Sequence, residues 1–507
     1  MNPYLKTILR DLGLFLHVPG IMALVSLLVC VAWGEYFAIR AFTITAIATL
    51  ATGQLFYRTC SQGASASRIR YAMLTVALAW AIVPLFGAIP FILIAQNLTI
   101  SGDASATVIY FQNSLNAVFE AFSGFTSTGL TMALNPSRLP HSIQWWRSLM
   151  EWVGGVGVIV LVVSLLDPST DAYQLYSAEG RSKRIGLTVQ VTVRRIWWIY
   201  ILYTFVSIIW LRLVGMPWWD AINHGMTGIS TGGFSIQDDS IGAYSQTIQM
   251  AVVPIMIAGA ISFPVHYQLV REFRFFALWK DSQHKALWIL LALGICLLLF
   301  FNYSFNWSVV WREAVFQWVS ALGTCGFSTV NLKKWTAGAK LLLSIGMIIG
   351  GAAGSTVGGI KLSRAVVLFK AILWRFQRLH LKPHQIMRYK LDERVVTETE
   401  AIRRVEAAAV LTILWLGLLL IGVFVLLEVV SAYEYNLSDV IFEAASALGS
   451  VGLSTGITAP DLAPLGKISL IIFMWMGRLE IIPVVLLFSA PFVALTKVSK
   501  RSRKIKK

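Results

Sequence analysis

The sequence predicts an all-α, polytopic membrane protein, and three observations support this fold class. Hydrophobic residues make up 57% of the 507-residue chain and charged residues only 13%, whereas a soluble protein carries about 25% charged residues. Five stretches are free of charged residues over the roughly 20 positions that a helix needs to cross a bilayer. Finally, a glycine-containing motif recurs four times between apolar segments. So few charges could not cover the surfaces of several soluble domains, which excludes a soluble protein of this length.

Apolar windows predict ten spanning helices along the chain. They lie near 12–33, 37–57, 70–95, 143–166, 194–215, 246–270, 286–303, 338–360, 405–429 and 467–496. Four further apolar segments are too short to span a bilayer. These are the segments 112–124, 217–229, 310–322 and 437–448.

The basic residues predict the orientation of these helices. The net charge is +17, from 42 Lys and Arg against 25 Asp and Glu, and 32 of the 42 basic residues fall on one set of faces. Those faces are the N-terminus, the loops 58–70, 167–195, 271–285 and 361–404, and the tail after 496. Basic residues accumulate in cytoplasmic loops, so we expect both termini to be cytoplasmic and the short segments to enter from outside. The excess charge therefore indicates topology, and we expect no nucleic-acid partner.

Each short segment ends in the same five-residue pattern, [ST]-x-G-[LF]-[ST]. The four copies are Ser127–Thr131, Thr231–Ser235, Thr324–Ser328 and Ser450–Ser454, with glycines at 129, 233, 326 and 452. The agreement extends upstream, because Ser or Thr stands six residues before each glycine and a polar residue (Asn116, Asp220, Glu313, Asp439) thirteen before it. Regular self-similarity of this kind indicates copies of one structural unit.

The physics of the repeated unit favours a pore. Non-helical backbone at membrane depth persists only where it is buried in protein or lines a water-filled cavity. Glycine permits backbone conformations that let carbonyl oxygens face one way, and rings of carbonyls can replace the hydration shell of a cation. We expect the polar residue thirteen positions upstream to cap the short helix, whose negative C-terminal end would favour a cation. The alternative is that the small residues form helix-packing seams.

Three further stretches complete a resemblance to a known family. They are Trp152–Gly157 (WVGGVG), Gly350–Lys361 (GGAAGSTVGGIK) and Gly477–Glu480 (GRLE). With the four glycine motifs, the sequence resembles the Trk/Ktr/HKT superfamily of potassium transporters, and the bacterial Trk-type membrane subunit in particular. The resemblance implies four membrane–pore-loop–membrane repeats around a pseudo-fourfold pore, plus an N-terminal two-helix hairpin. The corresponding segments are 1–69 for the hairpin, 70–193, 194–284, 285–404 with a cytoplasmic loop, and 405–507 with a basic cytoplasmic tail.

The resemblance also implies potassium uptake across a bacterial inner membrane, with the ion bound in a selectivity filter. The implied filter residues are Ser127, Thr128, Gly129, Thr231, Gly232, Gly233, Thr324, Cys325, Gly326, Ser450, Val451 and Gly452. The implied gate comprises Gly350, Gly351, Gly354, Ser355, Thr356, Gly358, Gly359, Lys361 and Arg478. A homodimer and a cytoplasmic nucleotide-binding regulatory subunit are implied as well. In plant members a serine at the first filter glycine accompanies sodium transport, so glycine at all four positions favours potassium here.

Two features of the implied gate admit other interpretations. Arg478 is predicted to be the one basic residue deep inside a span, and intramembrane charges mark ion pathways. By resemblance it forms a cationic barrier below the filter, and the alternative is an ion pair with a carboxylate on another helix. The glycine tract 350–359 implies a mobile intramembrane loop, and its alternative is close helix packing.

The sequence is also compatible with another transport mechanism. A secondary potassium or sodium symporter, coupled to protons or sodium by alternating access, is the principal alternative, although such carriers commonly use inverted repeats. The sequence shows no nucleophile–base set, metal-ligand spacing or phosphate loop, so neither an enzyme nor an organic cofactor is expected. Glu120 and Glu443, nine residues before their glycines, are expected to brace the filter. The loop 361–404 and the tail 497–507 are predicted to contact either a cytoplasmic partner or anionic lipid.

Overall fold

The computed structural model describes residues 3–61, 69–157, 189–301, 307–382, 385, 387–392, 394–431 and 434–489. In these ranges, six helices are long and apolar enough to span a membrane. They are Pro3–Ala32, Tyr36–Ser61, Ile69–Ser101, Val189–Leu213, Ser282–Phe301 and Glu398–Val429. The third divides into Ile69–Gly87 and Ile89–Ser101. Residues 158–166 of the predicted span 143–166 and the basic tail 497–507 lie outside the described residues.

Two predicted spans are sharply bent, so their prediction as continuous helices is wrong. Helices Gln246–Ala260 and Phe263–Glu272 meet at 105°, and helices Pro464–Arg478 and Ile482–Ser489 meet at 116°. Pro264 and Pro483 stand at the start of the second helix in each pair, where proline is tolerated although it cannot continue a preceding helix. At the second break, Glu480 and Ile481 adopt left-handed φ angles of 57° and 70°, which turns the chain.

The four short segments are helices, as predicted. They span Ser114–Phe125, Trp218–Ile229, Trp307–Leu322 and Leu437–Leu448. The helices that follow the first and third of them are His141–Val156 and Ala337–Ile349. The predicted span 338–360 therefore ends early, and residues from Gly350 to Lys361 form a non-helical segment before helix Leu362–Leu379.

The remaining elements are short. Helices Ala106–Ile109 and Ala277–Lys280 and the 3₁₀ turns Tyr110–Gln112, Pro136–Arg138, Ser240–Ala243 and Leu332–Lys334 lie in connections. A two-stranded antiparallel hairpin, Tyr389–Leu391 with Arg394–Val396, precedes the last long helix.

The hydrophobic core encloses the short helices rather than only the long ones. Ala117, Phe119, Ala121 and Phe125 of the first short helix are each fully buried, and helices Ser114–Phe125 and Leu437–Leu448 both contact helix Pro464–Arg478. Because the C-terminal halves of these two short helices are buried, the polar loops that follow them are placed in the interior of the protein.

Candidate functional site

The four glycine motifs adopt one backbone conformation. Their first residues have left-handed φ angles of 51° at Ser127, 51° at Thr231, 45° at Thr324 and 51° at Ser450, and the glycines have φ between 85° and 97°. In every copy the N–H just before the glycine donates to the carbonyl of the Ser or Thr six residues before that glycine, at 2.8–2.9 Å. Such positive φ angles favour glycine over residues with a Cβ, which explains why the glycine recurs.

The four loops pack against one another in a closed ring. A Cβ on Gly129 would lie 2.1 Å from the carbonyl oxygen of Gly232, and one on Gly233 would lie 2.5 Å from that of Cys325. In the same way, a Cβ on Gly326 would lie 2.2 Å from the Val451 carbonyl oxygen, and one on Gly452 would lie 2.1 Å from the Thr128 carbonyl oxygen. Each glycine therefore faces the carbonyl that precedes the next glycine, and the fourth loop returns to the first.

The four glycines also open into one cavity. A cavity of about 640 Å³ is lined by Gly129, Gly233, Gly326 and Gly452. The residues that follow the motifs, such as Asp238 and Asn331, line its walls. The ring of loops is therefore open to this cavity on one side.

Each loop is braced by the residue nine positions before its glycine. Glu120 accepts a hydrogen bond from the Thr131 hydroxyl at 2.8 Å, and Glu443 accepts one from Ser454 at 2.8 Å. The equivalent residues of the other two copies, His224 and Gln317, bond to Ser235 and Ser328 at 2.9 and 3.3 Å. The expected bracing by the two glutamates is therefore present, and all four copies share the same pairing.

The residues thirteen positions before the glycine do not act as N-caps, contrary to the prediction. Asn113 and Asn436 cap the first and fourth short helices, so Asn116 and Asp439 stand one turn inside. Both are instead partners of buried lysines, because Lys467 Nζ donates to Asn116 at 2.7 Å and Lys340 Nζ donates to Asp439 at 2.6 Å. Asp439 additionally completes the capping box of its helix.

Three basic residues near the ends of predicted spans, namely Arg147, Lys340 and Lys467, are buried within the protein. Their exposed fractions are 1%, 4% and 3%, although their positions near span ends suggested the outer side. Arg147 donates to Glu120 at 2.7 Å and to the Ser235 carbonyl at 2.9 Å. An intramembrane cation needs a partner, and the polar residue upstream of each motif is the sequence signal that could have identified two of these pairs.

The glycine-rich segment from Gly350 to Lys361 lies directly against the motif loops. The Gly358 N–H donates to Thr324 Oγ1 at 2.9 Å, and Thr231 Oγ1 donates to Thr356 Oγ1 at 3.2 Å. A Cβ on Gly358 would lie 2.0 Å from the Gly449 carbonyl oxygen. Gly350, Gly354, Gly359 and Lys361 have positive φ. Gly351 packs against Val357 and Ala260, and Ser355 Oγ donates to the Ala352 carbonyl at 2.6 Å.

Arg478 joins this segment to the first repeat. Its guanidinium donates to the Thr356 carbonyl at 3.2 Å, to the Gly155 carbonyl at 2.8 Å and to the Gly154 carbonyl. Glu480 faces elsewhere, because its carboxylate accepts from Lys361 Nζ at 2.7 Å and from Arg364. The partners that the structure gives for Arg478 therefore include the backbone carbonyls of two glycine-rich stretches, WVGGVG and the segment after Gly350.

Short re-entrant helices, with loops that meet in a ring inside a bundle of apolar helices, define a polytopic membrane transport protein. A family model described as TrkH, cation transport protein, matches residues 38–494. The chain therefore belongs to the TrkH family of cation transport proteins, which are transporters and not enzymes.

Individual relatives extend over nearly the whole chain. An uncharacterised cation transporter of Methanocaldococcus jannaschii is 33% identical over 98% of this chain and 98% of its own length. The Trk system potassium uptake protein TrkH of Escherichia coli is 30% identical over 94% of this chain and 95% of its own. The crystal structure of the potassium transporter TrkH from Vibrio parahaemolyticus superposes with a TM-score of 0.80 at 26% identity, covering 95% and 98% of the two chains. The predicted all-helical polytopic fold and the family resemblance are thus confirmed.

Proposed function

We propose that this chain carries potassium ions across a bacterial inner membrane, with the four motif loops as its selectivity filter. The observation that carries the proposal is the closed ring of glycine–carbonyl approaches that opens into one cavity. Carbonyl rings can replace the hydration shell of potassium, and the negative ends of four short helices favour a cation. The relative from Escherichia coli that is named as a potassium uptake protein is 30% identical over 94% of this chain, which supports potassium as the transported ion.

The proposed filter consists of the three residues that end at each glycine. Glycine at all four positions leaves room for the neighbouring carbonyls, whereas any side chain there would meet a carbonyl oxygen at 2.1–2.5 Å. The resemblance to the plant members, in which a serine at the first filter glycine accompanies sodium transport, supports our further proposal that potassium is preferred over sodium.

The proposed gate is the segment Gly350–Lys361 together with Arg478. The segment contacts the second, third and fourth loops, and Arg478 joins it to the first repeat. A cation beside the filter raises the electrostatic barrier to a permeating cation. Opening then requires the segment to leave the loops and its glycines supply the backbone freedom for that movement.

Ion uptake by purified protein in liposomes tests this function. Vesicles containing the protein are expected to accumulate ⁸⁶Rb⁺, and external potassium should compete far better than sodium. The same uptake measured with and without an imposed proton gradient separates conduction from proton-coupled symport, because conduction depends only on the potassium gradient and the voltage. Protein-containing vesicles that take up no more ⁸⁶Rb⁺ than empty ones would refute potassium transport.

The implied assembly is part of the proposal. We propose a homodimer, both termini in the cytoplasm, and a cytoplasmic nucleotide-binding subunit that docks on the basic segment 361–404. In the described part of that segment, helix Leu362–Leu379 and the hairpin Tyr389–Val396 present Lys370, Arg375 and Arg394. Light scattering of the detergent-solubilised protein measures whether it is a dimer. The alternative role of these basic residues is contact with anionic lipid.

A further inference from the structure

Glu151, in the helix His141–Val156, occupies the space that a side chain at Gly232 of the second motif would need. Three motifs carry a side chain just before the glycine, namely Thr128, Cys325 and Val451, whereas the second has Gly232 there. A Cβ on Gly232 would lie 2.3 Å from Glu151 Oε2 and 2.4 Å from its carboxyl carbon. The carboxylate of another helix therefore takes the place of the missing side chain.

Glu151 touches two of the four loops. Its two carboxylate oxygens accept from the Phe234 N–H at 3.1 and 3.0 Å, immediately after Gly233. Its backbone carbonyl accepts from the Ser127 hydroxyl at 2.7 Å. One buried residue thus fixes the second loop through its side chain and the first loop through its backbone.

Among the described residues, none provides a counter-charge to Glu151 at ion-pair distance. Its side chain is fully buried, and within the described ranges no Lys or Arg nitrogen lies within 4.0 Å of it. Arg147, one helical turn away, is engaged with Glu120 at 2.7 Å. A buried carboxylate whose side chain accepts from one neutral N–H is unfavourable unless it takes up a proton or a cation compensates its charge. An ion bound by the two loops that Glu151 contacts would supply that compensation.

We propose that Glu151 is a positioning and affinity-determining residue of the filter, whose negative charge is balanced by the ion bound beside Gly232 and Gly233. This inference rests on the proposed function. It explains why one motif alone carries two glycines, since a side chain at 232 would displace the carboxylate. It also makes the position before the glycine chemically asymmetric, because a carboxylate from another helix lies against Gly232, whereas the other three loops carry their own neutral side chains there.

The test compares Glu151→Gln with Glu35→Gln. Glu35 is a matched control, because its carboxylate also accepts backbone N–H groups, from His141 at 2.7 Å and Ser142 at 2.8 Å, but at the start of a helix and not at a motif loop. Titration calorimetry on the detergent-solubilised protein measures K⁺ dissociation, and ⁸⁶Rb⁺ uptake into liposomes measures transport. Glu151→Gln keeps the shape of the side chain and one acceptor for Phe234, and Glu151→Asp keeps the charge.

Glu151→Gln is expected to weaken K⁺ binding and raise the half-saturating K⁺ concentration about tenfold, which corresponds to about 1.4 kcal/mol. The maximal uptake rate should change much less, Glu151→Asp should recover part of the affinity, and Glu35→Gln should stay within twofold of the unmodified protein. Unchanged K⁺ affinity in Glu151→Gln overturns the proposal, as does a loss of melting temperature and maximal rate with unchanged affinity. If the unmodified protein binds K⁺ but does not transport it, the proposed function is contradicted, and the comparison of K⁺ affinities still tests the role of Glu151. If the unmodified protein does not bind K⁺, the inference about Glu151 is refuted.

Discussion

Replacing Gly129 by serine tests whether the four loops converge as the structure indicates. The new Cβ would lie 2.1 Å from the Gly232 carbonyl oxygen, and φ at this position is 87°. Normal contacts between carbon and a carbonyl oxygen are about 3.3 Å or longer, so one of the two loops must move by about 1 Å. Backbone atoms of both loops are involved, and a side-chain rotation cannot relieve the overlap.

Two terms set the magnitude of this effect. A residue with a Cβ in the left-handed region costs roughly 1–2 kcal/mol, and overpacking a well-filled interior costs about 1–3 kcal/mol. Together they destabilise the observed ring by about 2–5 kcal/mol, and each 1.4 kcal/mol is tenfold in an equilibrium. Gly102→Ser is the matched control, because Gly102 has φ of 82° but no atom within 4 Å of a Cβ placed there. Gly102→Ser therefore has the cost of a Cβ in the left-handed region without the cost of overpacking.

The assay is uptake of ⁸⁶Rb⁺ into liposomes with competing K⁺ or Na⁺. Gly129→Ser is expected to lower potassium-sensitive uptake by at least tenfold and to shift the preference toward sodium, because the displaced carbonyls no longer match potassium. Gly102→Ser should retain the unmodified selectivity. Should Gly129→Ser fold normally and keep the original K⁺/Na⁺ preference, the proposal that these loops form the filter would be wrong.

Two further substitutions and one deletion test the gate and the buried charges. Arg478→Ala should raise cation leak through unregulated protein several-fold, since it removes the donor to the Gly155 and Thr356 carbonyls; a bilayer current no larger than that of the parent contradicts this. Deleting 352–357 should likewise raise the leak, and a well-folded, silent deletion argues against a gating segment. Lys340→Met should lower the free energy of unfolding by about 3–5 kcal/mol, because it leaves Asp439 buried without its partner. The melting temperature should fall, and adding Asp439→Asn should partly restore it. Additive losses in the double variant would exclude coupling between the two residues.

The fourfold architecture could be predicted because each repeat needs the same unusual backbone. Positive φ at Gly129 and its three counterparts, and their approach to a neighbouring carbonyl, are conditions that few residues other than glycine meet. The short helices before them were predictable for a related reason, because a polar loop inside a membrane protein must be buried or line a cavity. Local sequence therefore records both the conformation and its environment.

The breaks and the buried charges could not be predicted from hydropathy. An average over about 20 residues does not distinguish a straight helix from two helices at 105° or 116°, although Pro264 and Pro483 mark both positions. The same average places Lys340 and Lys467 at span ends, where basic residues usually reach the interface. Their burial depends on Asp439 and Asn116, which come from the following repeat in the ring and are distant in sequence.

The junction between the fourth and first repeats explains why these distant partners matter. Three junctions of the ring join segments that follow one another in the chain, whereas the fourth brings together residues more than 300 positions apart. At that junction Lys467 bonds to Asn116, and Arg478 bonds to the Gly155 carbonyl. Loop entropy opposes such long-range closure, and buried charge-assisted hydrogen bonds are among the stronger polar contacts available to offset it. The arginine proposed as a gate therefore also lies where the ring of loops closes, so a movement that releases it would remove one of the contacts that hold the fourth repeat to the first.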